Sequence, residues 1–262
     1  MYFKLTSPHM SNSNVGKLQK ALKKNGYYMG AINNTYGEVT AQAVYQAKLY
    51  LGYSKPTNFA GDLLMSYLTG AKKPGLLMRQ RAALRKKHHR NMGFKTLAQA
   101  VTYLGVKEDP PNSNDCYFTR LWKMVGQPWC AMFYSTCSHN AGSKTFQIGK
   151  FEAYCPTIVQ TAQLNQQGLS VTHTPTSGCG VLYDWQHDGT SDHIGCYAEE
   201  ADLRVLCPAA LSKAITAFGK LGANDFWAIE GNTALDNDSN GGEVMLRKRN
   251  KSLVQVFVKV TK

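Results

Sequence analysis

Cys130 stands in the stretch GQPWCAMFYSTCSHNAG, residues 126 to 142, directly after a Pro-Trp pair and directly before an apolar run. A proline just ahead suits a helix start, where its missing N–H costs nothing. Ala131, Met132, Phe133, Cys137 and Ala141 then form an apolar helical face that ends at Gly142. A thiol at such a start meets unpaired amide N–H groups and the positive end of the helix dipole. Both favour the thiolate and lower its pKa from about 8.5 into a range of roughly 3.5–7.5. The same amides can hold an oxyanion. The plain alternative is a small core residue, since free cysteine is among the most buried residue types.

A thiolate nucleophile needs a base, and the base needs an orienting partner. His9 sits in a polar arm, and His88 and His89 in a run of cations, all read as solvated. His193, in TSDHIGCY, opens a strand after a polar turn, a place from which a side chain projects off a rigid edge. Further on, FWAIEGNT runs apolar residues into Glu230-Gly231-Asn232. Residues two apart in a strand share a face, so Glu230 or Asn232 could accept the imidazole N–H and fix its tautomer.

The elements that must position these groups follow from periodicity. NVGKLQKALKKNGYY and TAQAVYQAKLYLGY carry helical apolar stripes that stop near Asn25-Gly26 and at Gly52, with Thr40 as the expected N-cap of the second. GDLLMSYLTG fits a third, short helix. TLAQAVTYLG and YFTRLWKMVG read as helices, and SGCGVLYDW, HIGCYAEE, DFWAIEGN, GEVMLRKR and LVQVFVKV as strands of an antiparallel sheet. Helices first and strands after imply an α+β architecture. The expected domains are a three-helix module over 1–72, a basic linker over 73–95 and a larger domain over 96–262.

Composition narrows the function classes. The net charge of +13 is uneven: residues 1–95 hold 16 Lys/Arg against 2 Asp/Glu, while the remainder is nearly neutral. Seven cysteines in an odd, scattered set argue against a disulfide framework, and the lack of C-x-x-C argues against zinc, so no metal and no cofactor is expected. No apolar run approaches the roughly 18 residues of a membrane-spanning helix, and the start MYFKLTSPHMSNSN lacks a signal-peptide core. The expectation is a protein made in the cytoplasm, without membrane insertion, that another agent must let out.

The order of Cys at a helix start, His at a strand start and a polar residue at the end of a later strand resembles the papain-like hydrolases. In detail, GQPWCAMF, DHIG and IEGN resemble the CHAP family, the cysteine- and histidine-dependent amidohydrolases/peptidases of bacteriophage endolysins. The resemblance spans about residues 96–250. It implies Cys130 as nucleophile, His193 as base and Glu230 and Asn232 as orienting partners. PPNSND is similar to the family's G-S-N segment, which puts Asn114 at the site, and Trp129 beside Cys130 on the substrate side. The chain departs from the family in having Cys179 where an aspartate is usual, and a helical insert, LSKAITAFGKLG, within a long stretch from 199 to 225.

The front segment, VGKLQKALKKNGYYMGAINNTYGEVTAQAVYQAKLYLGY, resembles the three-helix peptidoglycan-binding domain in its L-Q-x-x-L, G-Y, Y-G, T and A-V positions. That likeness puts Tyr27, Tyr36, Gly37 and Thr40 near a glycan or stem-peptide groove. Most of the matching residues are core or turn positions, so the likeness bears on fold more than on contacts. Together the two resemblances imply an endolysin that hydrolyses an amide of bacterial peptidoglycan, as amidase or endopeptidase, after a separate pore releases it from an infected host. Its basic half would hold anionic wall polymers. The competing readings are a nucleic-acid binder using RQRAALRKKHHR and a non-lytic wall-binding virion protein. The first finds no recognition motif and leaves the Cys/His/Glu order unexplained, so no nucleic-acid partner is expected.

Overall fold

A computed structural model of the chain describes residues 2–88, 91–235 and 240–261. It divides into two compact units, Met1–Lys87 and His88–Lys262, a boundary that falls inside the stretch read as a linker. Among the described residues no helix is long and apolar enough to cross a membrane.

The first unit holds β1 (Tyr2–Phe3), α1 (Ser13–Lys24), α2 (Glu38–Leu51), β2 (Ala60–Gly61), α3 (Asp62–Thr69) and α4 (Leu76–Lys87). Its core is the stripe read from the sequence, with Val15, Leu18 and Leu22 of α1 against Ala43, Val44 and Ala47 of α2 and Leu64 and Leu68 of α3. Asn12 caps α1, its side-chain oxygen accepting the N–H groups of Asn14 and Val15. The expected cap of α2 is corrected. That helix starts at Glu38 behind Gly37, and Thr40 lies inside it, buried, with its hydroxyl donating back to the Thr35 carbonyl.

Thr40 is taken up by a hub that the sequence pattern does not announce. The fully buried Gln19 amide donates to the oxygens of Asn33, Thr35 and Thr40 at 2.8–3.0 Å. Its carbonyl oxygen accepts the N–H groups of Asn33 and Asn34 at 3.1 and 3.0 Å. One side chain of α1 thereby fixes the Asn33–Thr35 turn that leads into α2. Gln19→Ala leaves those backbone groups unpaired and is expected to destabilise the first unit by about 2–4 kcal/mol. Calorimetry of the full chain checks this; an unmoved first-unit transition would refute it.

The basic stretch is partly inward. From Leu76 to Lys87 it forms α4, whose buried Arg81 donates to the Gly52 carbonyl and whose buried Arg85 donates to those of Leu49 and Tyr53. These guanidinium groups donate to carbonyls at and just beyond the C-terminal end of α2, adding to the Gly52 N–H that Leu49 already accepts. Gly52 is required twice over: its φ is +88°, and a Cβ there would stand 1.9 Å from the Met78 carbonyl oxygen. His88, read as solvated, is half-buried and stacks on Phe94 with ring centroids 4.8 Å apart; His89 lies outside the described residues.

The second unit holds α5 (Met92–Thr102), α6 (Tyr117–Trp122), α7 (Cys130–Ala141), α8 (Cys155–Gln163), β3 (Leu169–Thr172), β4 (Gly180–Tyr183), β5 (His193–Ala198), α9 (Glu200–Leu206), α10 (Pro208–Phe218), β6 (Asp225–Thr233), β7 (Glu243–Asn250) and β8 (Val254–Val260). The strands form one antiparallel sheet in the order β3-β8-β4-β5-β6-β7, and the architecture is α+β. The insert read as helical is α10, preceded by α9. β3 and α8 were not read from the sequence.

The central helix α7 is buried nearly all round, not on one face, as expected of a helix enclosed by both helices and sheet. Its polar residues survive burial because each has a partner. Tyr134 donates to the Gly178 carbonyl, Ser135 to that of Glu152, and Thr136 accepts from the Trp122 indole. The helix sits close to β6 because position 231 is glycine: a Cβ there would lie 2.6 Å from both Phe133 and Trp129.

Candidate active site

The sheet register brings the site together. Tyr183 of β4 pairs with His193 at the start of β5, and Glu230 of β6 pairs with Gly195, two residues further along β5. Tyr183, His193, Gly195 and Glu230 therefore share one face. Gly195 is what makes room there: a Cβ would stand 2.8 Å from the Glu230 side chain and 3.2 Å from the Tyr183 hydroxyl. Arg249 of β7 pairs with Phe226, an even number of residues from Glu230, and so reaches the same face.

Glu230 is the anchor of this cluster. Arg249 grips it through two bonds, Nε to Oε1 at 2.8 Å and a terminal nitrogen to Oε2 at 2.6 Å, and the Tyr183 hydroxyl donates to Oε1 at 2.8 Å. The Arg249 guanidinium lies over Trp185, which stacks on Tyr183. Burial alone would raise the carboxyl's pKa, but the Arg249 charge and hydrogen bonds, aided by His193, hold it far below the usual carboxylate range. Its Oε2 lies 3.3 Å from Nε2 of His193 with both side chains fully buried. The contact is an ion pair and not an aligned hydrogen bond, since neither ring nitrogen meets hydrogen-bond geometry.

With Nε2 turned to Glu230, the other imidazole nitrogen is left for the sulfur. Cys130 is the first residue of α7, and it and His193 interact electrostatically and through a side-chain contact. A second sulfur, that of Cys155, lies 3.8 Å from that of Cys130. The neighbouring Cys155 thiol, against the opposing effect of burial, and then the His193 charge hold the Cys130 thiol well below its ordinary range. Cys155 is pushed up by its contact with Cys130 and by burial. For His193, burial works downward, but Cys130 and Glu230 outweigh it and carry the imidazole up to about 9. These directions favour a thiolate at Cys130 paired with an imidazolium at His193, beside a thiol at Cys155.

The sign of the pH response follows. Cys130 should alkylate readily at pH 6, where a thiol of pKa about 8.5 is under about 1% ionised. The expected rate with iodoacetamide is about ten- to a hundredfold above a free thiol, after allowing for the lower nucleophilicity of a low-pKa thiolate. Peptide mapping by mass spectrometry reads the site, and preferential labelling of Cys155 would contradict the assignment of charge.

Cys130, His193 and Glu230 are thus brought together; the other sequence-derived residues show other contacts. Asn232 has another partner: its φ is +58°, at an irregularity in the β6–β7 pairing, and its amide donates to Asn240. The strand does not continue regularly through Gly231, so the two-residue alternation fails there. Asn114 also has a positive φ, and its carbonyl accepts the Gly126 N–H. Trp129 is fully buried, stacked on Phe118 and donating to Glu108 at 2.9 Å; it holds the start of α7 in the core and offers no surface to a substrate. In the first unit Tyr36 and Thr40 are buried, Tyr36 donating to the Asn58 carbonyl, so both maintain the fold. Tyr27 and Gly37 keep partial exposure.

Tyr183, Arg249, Gly195 and Cys155 were missed in the sequence. Two had a readable signal. AYCPTIVQ places a proline in the first turn of a helix beginning at a cysteine, and the alternation of GEVMLRKR carries cations onto the strand beside Glu230.

One comparison with known proteins bears on the first unit. The model of a family described as "Putative peptidoglycan binding domain" matches residues 11–55, the stretch organised by α1, the Gln19 hub and α2. The chain carries an N-terminal peptidoglycan-binding domain. The match supports association with the bacterial cell wall and peptidoglycan as partner. No curated protein and no solved structure matches the chain.

Proposed function

We propose that the chain is a peptidoglycan hydrolase of the endolysin type, whose second unit is a papain-like CHAP domain that cuts an amide bond through Cys130. The observation that carries the reading is the buried row formed by the Cys130 sulfur, the His193 imidazole and the Glu230 carboxylate, 3.3 Å from the imidazole and clamped by Arg249. A peptidoglycan-binding domain on the same chain supplies the substrate class.

In this mechanism the Cys130 thiolate attacks the carbonyl carbon of a stem-peptide or cross-bridge amide, and the displaced electron pair rests on oxygen, held by the first-turn amides of α7. The tetrahedral intermediate collapses, the C–N bond breaks, and the leaving nitrogen takes the proton of His193. The resulting thioester is hydrolysed by a water whose proton passes to the now neutral imidazole. Expulsion of the Cys130 thiolate restores the ion pair. Glu230 keeps the imidazole turned and stabilises its positive charge; Arg249 and Tyr183 act through Glu230 as positioning residues. The excess of cations in residues 1–95 would concentrate the enzyme on an anionic wall, with a salt dependence that measures this contribution. The reading includes release from the producing cell by a separate pore.

The test is mass spectrometry of purified sacculi digested with the full chain. Stem peptides released with a free lactyl carboxyl on muramic acid mark an amidase, and new amino termini within the peptides mark an endopeptidase. Intact amides, or new glycan reducing ends without amide cleavage, would overturn the proposal.

A further inference from the structure

The mechanism above uses one sulfur and leaves its neighbour idle. We propose that Cys130 and Cys155 form a redox pair, in which a small hydroperoxide oxidises Cys130 and Cys155 resolves the product as a reversible 130–155 disulfide. The pairing stands on geometry; only its consequence for hydrolysis rests on the function proposed above.

The sulfurs are 3.8 Å apart, in van der Waals contact. A disulfide needs about 2.05 Å, so together they must close about 1.8 Å. Each cysteine is the first residue of its helix, α7 or α8, next to a non-helical segment that can absorb the adjustment. The pair is also chemically asymmetric in the way such a reaction needs. Cys130 carries the anionic sulfur that attacks a peroxide, and Cys155 keeps its proton until a leaving group is in place. Cys130 is 6% exposed and Cys155 5%, so both sulfurs are nearly enclosed and a small oxidant suits them. Two of the other cysteines face hydroxyls, Cys116 that of Thr119 and Cys179 that of Thr176.

The steps balance. The Cys130 thiolate attacks one oxygen of the hydroperoxide, the O–O bond breaks, the sulfur becomes a sulfenic acid, and the departing alkoxide or hydroxide takes the His193 proton. Cys155 then loses its proton to the neutral imidazole and attacks the Cys130 sulfur. The S–O bond breaks and hydroxide leaves, protonated in turn by His193 to give water. Two thiols and one hydroperoxide become one disulfide, one alcohol or water, and one further water. A dithiol reductant reverses the change by exchange. Without a resolving thiol, the sulfenic acid would go on to the irreversible sulfinic state.

The experiment titrates the reduced full-length protein with hydrogen peroxide, then alkylates it in denaturant and maps peptides by mass spectrometry. The expected product is a peptide pair joined through residues 130 and 155, with an intact mass about 2 Da lower, erased by dithiothreitol. In Cys155→Ser the same dose should add about 32 Da to the Cys130 peptide instead; in Cys130→Ser it should leave Cys155 alkylatable. Sulfinic acid on wild-type Cys130 with Cys155 still a free thiol would overturn the proposal, as would crosslinks through other cysteines at the same dose. Sacculus clearing is followed in parallel and should fall at least about twentyfold on oxidation and return on reduction. A 130–155 crosslink in a protein whose reduced form cuts no amide would leave the redox pair standing and overturn the function instead.

Discussion

Cys130→Ala is expected to bring amide hydrolysis of sacculi below about 1% of the wild-type rate while sedimentation with sacculi is unchanged. The size of the loss follows from the role: with no sulfur there is no thioester route, and the imidazole faces a methyl group that cannot attack a carbonyl. The retained binding follows from the division of the chain, since residues 11–55 and the hub that organises them belong to the first unit. Alanine in place of a small buried residue at the first turn of α7 costs little packing, and the imidazolium loses one of the two anions that raise its pKa, which should therefore fall. Residual lysis above about 1% would remove Cys130 as the nucleophile. Lost sedimentation would instead show that the variant had disturbed more than the sulfur.

The second large effect belongs to a residue that touches no substrate. Arg249→Met is expected to destabilise the second unit by about 3–5 kcal/mol, because it leaves the fully buried Glu230 carboxylate without its bidentate partner. All four tryptophans lie in the second unit, so urea unfolding followed by indole fluorescence reads that unit directly. Glu230→Gln combined with Arg249→Met removes both charges, and its loss should be smaller than the sum of the single losses by at least about 1 kcal/mol. A loss below about 1 kcal/mol for Arg249→Met alone would mean that Glu230 is held by something else. The pH dependence has a definite sign. Glu230 is depressed in the folded state, so its contribution is fully present above the unfolded value near 4.3 and is lost as pH falls through the lower folded value. Removing Arg249 raises the folded value and moves that acid loss toward neutrality.

The sequence by itself determined the elements and the cast. Helical periodicity marked α1, α2 and α7, and two-residue alternation marked β4 to β8, because both patterns are local and each residue's burial is dictated by neighbours within a turn or a pleat. The placement of Cys130 at a helix start and His193 at a strand start is local in the same sense. What only the tertiary structure decided was which groups meet. Glu230 and Asn232 were equivalent by spacing, but Glu230 contacts the imidazole while Asn232, past the break in regular pairing, donates to Asn240. Trp129, Tyr36 and Thr40 looked available beside motif residues, yet each is consumed by the core or by a turn. Cys155 and Arg249 entered through contacts 25 and 19 residues away in the chain. Such meetings depend on strand register and on helices packed across a sheet, and no local pattern of residues carries that information.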